Sequence, residues 1–169
     1  MLSIGGVFFV ITRFQLFDLL IIGRSECYIK KSSTYNPYVP GKIYDWDFEL
    51  EHGEYLFTDS YRGFNPYSGV EYIYIKGQRE PIWSCDYVGY VFANSSVSEK
   101  EIYGLLKKGR GKHLLNCGGD LSADYSYRDG DFGYQTRFSG DLNAILQTEE
   151  IYYRGKLVGT QVAAGYLRE

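Results

Sequence analysis

An internal repeat constrains the fold of this chain more than any other feature. The segment Tyr55–Gly89 aligns with Tyr125–Gly159 at a constant offset of 70 residues at both ends. Eight positions are identical, including Asp59 with Asp129, and several aromatic residues replace one another. Two copies are too few for a solenoid, which needs three or more units to bury its faces. The repeat therefore predicts one domain whose two halves are related by a pseudo-twofold axis.

The first copy has the alternating pattern of a strand meander. We expect strands at Tyr55–Ser60, Val70–Ile75 and Pro81–Phe92, with an earlier edge strand at Tyr44–Leu50. The glycine-bearing segments between them predict turns, as do Gly133 and Gly140 in the second copy, and residues 32–42 predict a surface loop. The second copy predicts strands at Tyr125–Arg128, Asp141–Gln147 and Glu150–Leu167.

Two helices are predicted, one before each meander. The first spans about Arg13–Ile22, follows a buried strand at Gly6–Thr12, and carries an apolar stripe. That stripe contains Phe14, Phe17 and Ile21, thickened by neighbouring leucines, so we expect the helix to be covered on both flanks by the sheet or by a partner chain.

The second helix begins with a capping box, since Ser98 is followed three residues later by Glu101. Gly109 predicts its end, because glycine adopts the left-handed conformation that often terminates a helix. The sequence thus predicts an α+β domain with a mainly antiparallel sheet of about seven to nine strands. Its two α-β-β-β halves cover about 13–92 and 97–167.

Composition and charge exclude several classes of protein. Aromatic residues make up 18% of the chain, which favours strands, and the net charge is −3, which argues against a dedicated nucleic-acid binder. The three cysteines, Cys27, Cys85 and Cys117, are widely spaced and suit reduced thiols in the cytoplasm. Charged and polar residues interrupt the apolar start too early for a membrane span. We expect no metal and no cofactor.

The first copy resembles an uncharacterised bacterial domain family that occurs alone or behind the helix-turn-helix of XRE-type transcription regulators. The motifs that carry the resemblance are Tyr67-Ser68-Gly69-Val70-Glu71, Pro81-Ile82-Trp83 and Tyr87-Val88-Gly89. It covers about Phe14 to Gly165, although Leu142 stands where the second copy would repeat the carboxylate. The resemblance implies a sensor-like or accessory domain without its own DNA-binding part, and no activity is carried over from the family.

Acidic and aromatic residues of the first copy form the candidate ligand-binding site. They are Tyr55, Asp59, Tyr61, Glu71, Trp83 and Tyr87. On paired strands these side chains could line one mouth of the sheet, where rings stack on a flat ligand and carboxylates accept its hydrogen bonds. The alternative is a cross-strand aromatic ladder with carboxylates in turns, and this alternative has the greater weight. Acid–base hydrolysis by paired carboxylates is a third hypothesis, well behind the others.

The only basic run, at residues 107–113, is interpreted as charge compensation at a helix end followed by a solvated loop. His113 beside these cations is expected to be neutral at pH 7. We expect no catalytic residue among the serines and cysteines, because no nucleophile motif is present.

The sequence therefore predicts a non-enzymatic domain that binds a small molecule or a protein partner. A second hypothesis is a structural protein that forms a homodimer through the first helix or an exposed sheet edge.

Overall fold

One antiparallel sheet organises the computed structural model, which describes residues 11–92 and 96–168. In chain order its strands are β1 (Val39–Pro40), β2 (Trp46–His52), β3 (Tyr55–Gly63), β4 (Tyr67–Ile75), β5 (Trp83–Val91), β6 (Tyr125–Asp129), β7 (Phe132–Asp141), β8 (Ala144–Tyr153) and β9 (Lys156–Leu167). In space the nine strands of the described residues follow the order β1-β2-β3-β4-β5-β9-β8-β7-β6. The predicted α+β class with an antiparallel sheet is confirmed.

The first helix, α1, spans Arg13–Arg24 and continues into a π-helical segment at Ser25–Ile29. It starts at the predicted residue because Thr12 and Gln15 form a reciprocal capping box. The predicted stripe is wrong at Phe14, which is 84% exposed. The buried face of α1 consists instead of Leu16, Leu19, Leu20 and Gly23.

The second helix, α2, spans Glu99–Asn116 and carries the predicted capping box of Ser98 and Glu101. The predicted stop at Gly109 is wrong, because the helix continues for two more turns. A Cβ atom at Gly109 would lie 2.3 Å from the ring of Tyr134. Glycine is therefore present to let the helix approach β7 closely, and the basic run lies on a helix and not in a loop.

The proposed repeat alignment is wrong in its register. Tyr55 begins β3, which is the third strand from the centre on one side of the sheet. Tyr125 begins β6, which is the fourth strand from the centre on the other side. The counterpart of β3 is β7, which the sequence analysis missed because it took the segment around Gly133 as a turn. Each half is a helix followed by four main strands that reach the centre, and the first half adds the two-residue edge strand β1, so the shared layout is α-β-β-β-β.

The two halves meet where β5 pairs with β9. Tyr87 and Ala163 are register partners in this ladder. They also occupy equivalent positions in their halves. Gly69 of β4 pairs with Tyr87 of β5, and its counterpart in the other half, Gln147 of β8, pairs with Ala163 of β9. The pseudo-twofold axis thus passes through the Tyr87–Ala163 pair.

Both helices contact the same sheet and bury two apolar clusters against it. One cluster lies under α1 and the other under α2. Between them the helices leave an open space over the central strands. Within the described residues no helix is long and apolar enough to cross a membrane.

Two N-terminal predictions have different outcomes. Most of the strand predicted at Gly6–Thr12 lies outside the described residues, and Thr12 itself is the N-cap of α1. The loop predicted over residues 32–42 is largely present, but it contains β1 and inserts Tyr38 into the core with 6% of its surface exposed.

Candidate functional site

A cavity of about 570 Å³ lies between the helices and the central strands. Its walls come from the end of α1, the π-helical segment, α2, and the inward faces of β3, β4, β5, β8 and β9. The cavity spans both halves, so each contributes side chains to one space. Volumes of roughly 300–1,000 Å³ are typical of small-molecule sites.

Four of the six predicted site residues line this cavity: Asp59, Tyr61, Glu71 and Tyr87. They come together because β3, β4 and β5 pair in sequence, which sets Asp59 opposite Glu71. Tyr55 and Trp83 do not line the cavity. Tyr55 is 6% exposed in the core, and Trp83 is 1% exposed and donates its indole N–H to the carbonyl of Leu142 at 3.3 Å.

Asp59 is a buried carboxyl that accepts hydrogen bonds from two tyrosines. Tyr87 donates to Oδ1 at 2.8 Å, and Tyr38 donates to Oδ2. Burial and the nearby charge of Glu71 raise the pKa of Asp59 to about 7, although the two phenol donors act in the opposite direction. Asp59 is thus the one carboxyl in the cavity wall without a hydrogen-bonded cationic partner among the described residues.

Arg24 and Glu71 form the first of two ion pairs in the cavity wall. Arg24 Nε donates to both carboxylate oxygens at 3.1 Å, and Nη2 donates to one of them at 2.7 Å. Only 22% and 12% of the two side chains are exposed. Burial lowers the pKa of Arg24, but the charge and hydrogen bonds of Glu71 outweigh this effect and raise the pKa above its ordinary value.

Arg110 and Glu149 form the second pair, in the other half. Arg110 Nε donates to both oxygens of Glu149 at 2.9 Å. Glu149 also accepts from Tyr134 at 2.5 Å and from the side-chain amide of Gln161 at 2.8 Å. Burial raises the pKa of Glu149, but the charge and hydrogen bonds of Arg110 and the hydrogen bond from Tyr134 outweigh this effect, so the net pKa is lowered.

The sequence analysis missed this second pair, although a short motif indicates it. The pattern Leu-Leu-x-x-Gly-Arg occurs in both helices, ending at Arg24 in α1 and at Arg110 in α2. In each case the glycine lies against an aromatic ring of the third strand from the centre, Phe57 or Tyr134. The arginine that follows then reaches the glutamate on the neighbouring strand. Comparison of the helices, and not only of the strands, would have given the correct register.

His113 of α2 is 5% exposed and lines the cavity. Its ring lies between those of Tyr125 and Phe138, with both centroids 5.5 Å away. Its Nε2 has no hydrogen-bond partner among the described residues. Burial and the charge of Arg24 lower its pKa, which agrees with the expectation of a neutral ring.

The cavity wall toward the start of α2 carries lysines and aromatic rings. Lys31 Nζ donates to the Tyr61 hydroxyl at 2.8 Å and lies 4.8 Å from the ring centroid of Tyr38. Lys107 Nζ donates to the backbone carbonyl of Lys31. Nearby, the ring of Tyr103 lies 4.8 Å from Phe64 and 5.7 Å from Tyr67.

Several groups of the cavity wall are poorly placed for proton transfer or nucleophilic attack. Both oxygens of Glu71 are occupied by Arg24, which leaves Glu71 poorly placed to act on a substrate. Burial raises the pKa of the Cys27 and Cys85 thiols, which disfavours the reactive thiolate. Among the described residues no three His, Cys, Asp or Glu side chains cluster as a metal site requires.

A family model described as a domain of unknown function, DUF5680, matches residues 59–167. The match begins in β3, later than the resemblance found at Phe14, so it covers the later strands of the first half and nearly all of the second half. No curated protein and no solved structure matches the chain. Because the family model covers more than half of the 169 residues, the chain belongs to the DUF5680 family, a domain family of unknown function.

Proposed function

We propose that the chain is a small-molecule-binding domain whose ligand occupies the cavity between the helices and the central strands. One observation carries the proposal: about 570 Å³ of space is lined by polar and aromatic side chains from both halves. A structural core would instead be filled to a packing density near 0.75, with few voids larger than a water molecule.

The buried charges support binding, because stability alone does not require them. Replacing a buried ion pair by apolar side chains of similar volume is often neutral or stabilising by about 1–4 kcal/mol. This cavity nevertheless holds Arg24, Glu71, Arg110 and Glu149 on its wall. Groups held rigidly by such pairs are suited to orient a polar ligand at low entropic cost.

We expect ligand binding to serve as a signal, without a chemical reaction of the ligand. The resemblance to domains that accompany XRE-type helix-turn-helix regulators supports a sensor-like or accessory role in a bacterial cytoplasm. The three free cysteines are consistent with that reducing compartment.

A thermal-shift screen of metabolites on the purified protein tests the proposal. A ligand that binds only the native state raises the melting temperature by mass action. We expect at least one compound to produce a saturable increase. A screen without any saturable shift contradicts the proposal.

Gly104 provides a control that assigns a shift to the cavity. It lies on α2 at the cavity wall, and a Cβ atom there would meet nothing within 4 Å. We expect Gly104→Leu to keep the fold and to weaken binding by narrowing the cavity. Gly104→Ala, which adds one methyl group to the same helix position, should bind nearly as well as the wild type. Equal binding by all three proteins would place the ligand elsewhere.

Self-association through the outer face of the sheet is a second candidate. Val88 and Val162 pair across β5 and β9 and are 42% and 49% exposed. Tyr90 and Tyr166 on the same strands are exposed as well. This apolar patch lies around the pseudo-twofold axis, so a second copy could meet it with the same patch. Light scattering that gives the mass of a monomer at high concentration would exclude this candidate.

A further inference from the structure

We infer that the cavity ligand is an aromatic organic anion, such as a carboxylate attached to a planar ring system. The inference rests on the proposed function and names the chemical class that the same site would accept. It is carried by the cationic groups on the cavity wall and by the aromatic rings beside them.

The cavity is positive although the protein is acidic. Five cationic side chains line it: Arg24, Lys31, Lys100, Lys107 and Arg110. Three carboxyl side chains line it: Asp59, Glu71 and Glu149. Five minus three leaves a charge of +2 even when every carboxyl is ionised, whereas the whole chain carries −3. A concave site of one sign focuses the potential and attracts ligands of the opposite sign.

The excess positive charge of the cavity wall comes from its lysines. Both arginines are paired with glutamates. In contrast, Lys31, Lys100 and Lys107 form no ion pair with any carboxylate in residues 11–92 and 96–168. The cavity wall therefore keeps three ammonium groups available for an anion.

Two of these lysines lie on the same stretch of the cavity wall. The Lys107 ammonium group donates to the main-chain carbonyl of Lys31, while the Lys31 ammonium group donates to Tyr61. Like charges on one partly buried wall repel each other, and an anion bound beside them reduces this repulsion. A carboxylate is the simplest such anion.

The cavity wall is much less suited to a cationic ligand than to an anion. Asp59 is its one carboxyl without a hydrogen-bonded cation, and both of its oxygens already accept from tyrosines. Burial further disfavours the ionised form of this group. An amine at this position would share the two oxygens with both tyrosine donors, on a carboxyl whose charged form is disfavoured.

Aromatic side chains next to the lysines suit a planar ring. Phe64, Tyr67 and Tyr103 form an edge-to-face cluster, and Tyr61 lies beside Lys31. Rings prefer such offset and edge contacts. The carboxylate would then lie at the lysines and the ring among the tyrosines.

Three naphthalene compounds of nearly equal size test the sign of the ligand charge. They are 2-naphthoate, 2-naphthalenemethanol and protonated 2-naphthylmethylamine, titrated into the full chain by calorimetry at low and high salt. We expect 2-naphthoate to bind about tenfold or more tightly than the alcohol, and this advantage to shrink at high salt as the charges are screened. We expect the amine to bind more weakly than the alcohol.

Lysine variants assign the effect to the cavity wall. Lys31→Gln and Lys107→Gln should each weaken 2-naphthoate about three- to tenfold and leave the alcohol unchanged. Lys156→Gln, at the exposed first residue of β9, is the control and should leave both affinities unchanged. Melting curves of all variants verify that they fold.

The outcomes separate the inference from the function on which it rests. If the alcohol or the amine binds as well as 2-naphthoate, or if 2-naphthoate does not bind at all, the anion inference is overturned. Binding of any compound in the cavity still supports the proposed function. The proposed function has its own test, because a metabolite screen without any saturable shift contradicts it.

Discussion

Arg110 on α2 and Glu149 on β8 form a doubly hydrogen-bonded ion pair that repeats, in the second half, the contact of Arg24 with Glu71 in the first. The glutamate is 0% exposed, so its charge depends on this partner. The two pairs fix each helix over the strand that faces it. They also place two guanidinium groups in the wall of a single cavity.

Breaking either pair from one side should destabilise the protein strongly. We expect Arg110→Ala to lower the free energy of unfolding by about 3–5 kcal/mol, because it leaves Glu149 buried without a cation. The exposed pair of Arg154 and Asp131 is the control, and Arg154→Ala should cost about 0–1 kcal/mol. Urea denaturation measures both. Similar losses for the two variants would mean that the buried pair has no special role.

The pH dependence of the free energy of unfolding should reveal the raised pKa of Asp59. Its pKa in the folded protein is raised from 3.8 to about 7, so the folded state binds this proton more tightly than the unfolded state. The resulting stability is fully present below about pH 4 and is lost as the pH rises through 7. Relative to Asp59→Asn, the wild type should lose up to about 1.4 kcal/mol per pH unit across this window.

Chemical denaturation of both proteins at a series of pH values gives this difference directly, and titrations common to the two cancel. A difference that stays flat between about pH 4 and 7, or that rises with pH, would contradict the assignment of Asp59.

Two glycines of α2 should respond to alanine in opposite directions. Gly104→Ala should stabilise the protein by about 0.5–1 kcal/mol, since alanine favours the helix and the added methyl group meets open space. Gly109→Ala should destabilise it by about 1–3 kcal/mol despite the same gain, because its Cβ would collide with the Tyr134 ring. Urea midpoints compare them. A stabilising Gly109→Ala would contradict the close helix–strand contact.

Trp83 should behave as a core residue and not as a ligand contact. Its indole is 1% exposed, so we expect Trp83→Ala to cost about 3–5 kcal/mol of stability. Tyr61→Phe removes only a hydroxyl at the cavity wall and should leave the melting temperature nearly unchanged. It should still alter ligand affinity, because Lys31 loses its hydrogen-bond partner. An unchanged melting temperature for Trp83→Ala would contradict the core role of Trp83 and favour its prediction as a ligand-binding residue.

Local patterns in the sequence predicted much of the fold. Strand alternation gave the antiparallel α+β class, and the spacing of Ser98 and Glu101 gave the start of α2. The end of α2 was missed because Gly109 suits both a helix stop and a close contact, and only the position of Tyr134 distinguishes them. The repeat register was missed for a related reason, since glycines shared by chance outweighed the helix motif.

The candidate site was predictable in part. Asp59, Tyr61, Glu71 and Tyr87 converge because they lie on strands that pair in sequence, which a local pattern can show. Arg110 and Glu149 are 39 residues apart, and their contact depends on how α2 crosses β8. No local pattern encodes that crossing. Trp83 was misplaced because alternation indicates a face of the sheet but not whether α1 covers it.

The most direct test of ligand binding in the cavity is a backbone-amide NMR titration with the compound that most raises the melting temperature in the metabolite screen. We predict saturable chemical-shift changes at the amides of Tyr28, Tyr61 and Gly104 around the cavity, and none at the side-chain methyl groups of Val88 or Val162 on the outer face, followed in a parallel methyl spectrum. The changes should weaken in Gly104→Leu. Shifts confined to the outer face, or the lack of any saturable change, would contradict the account.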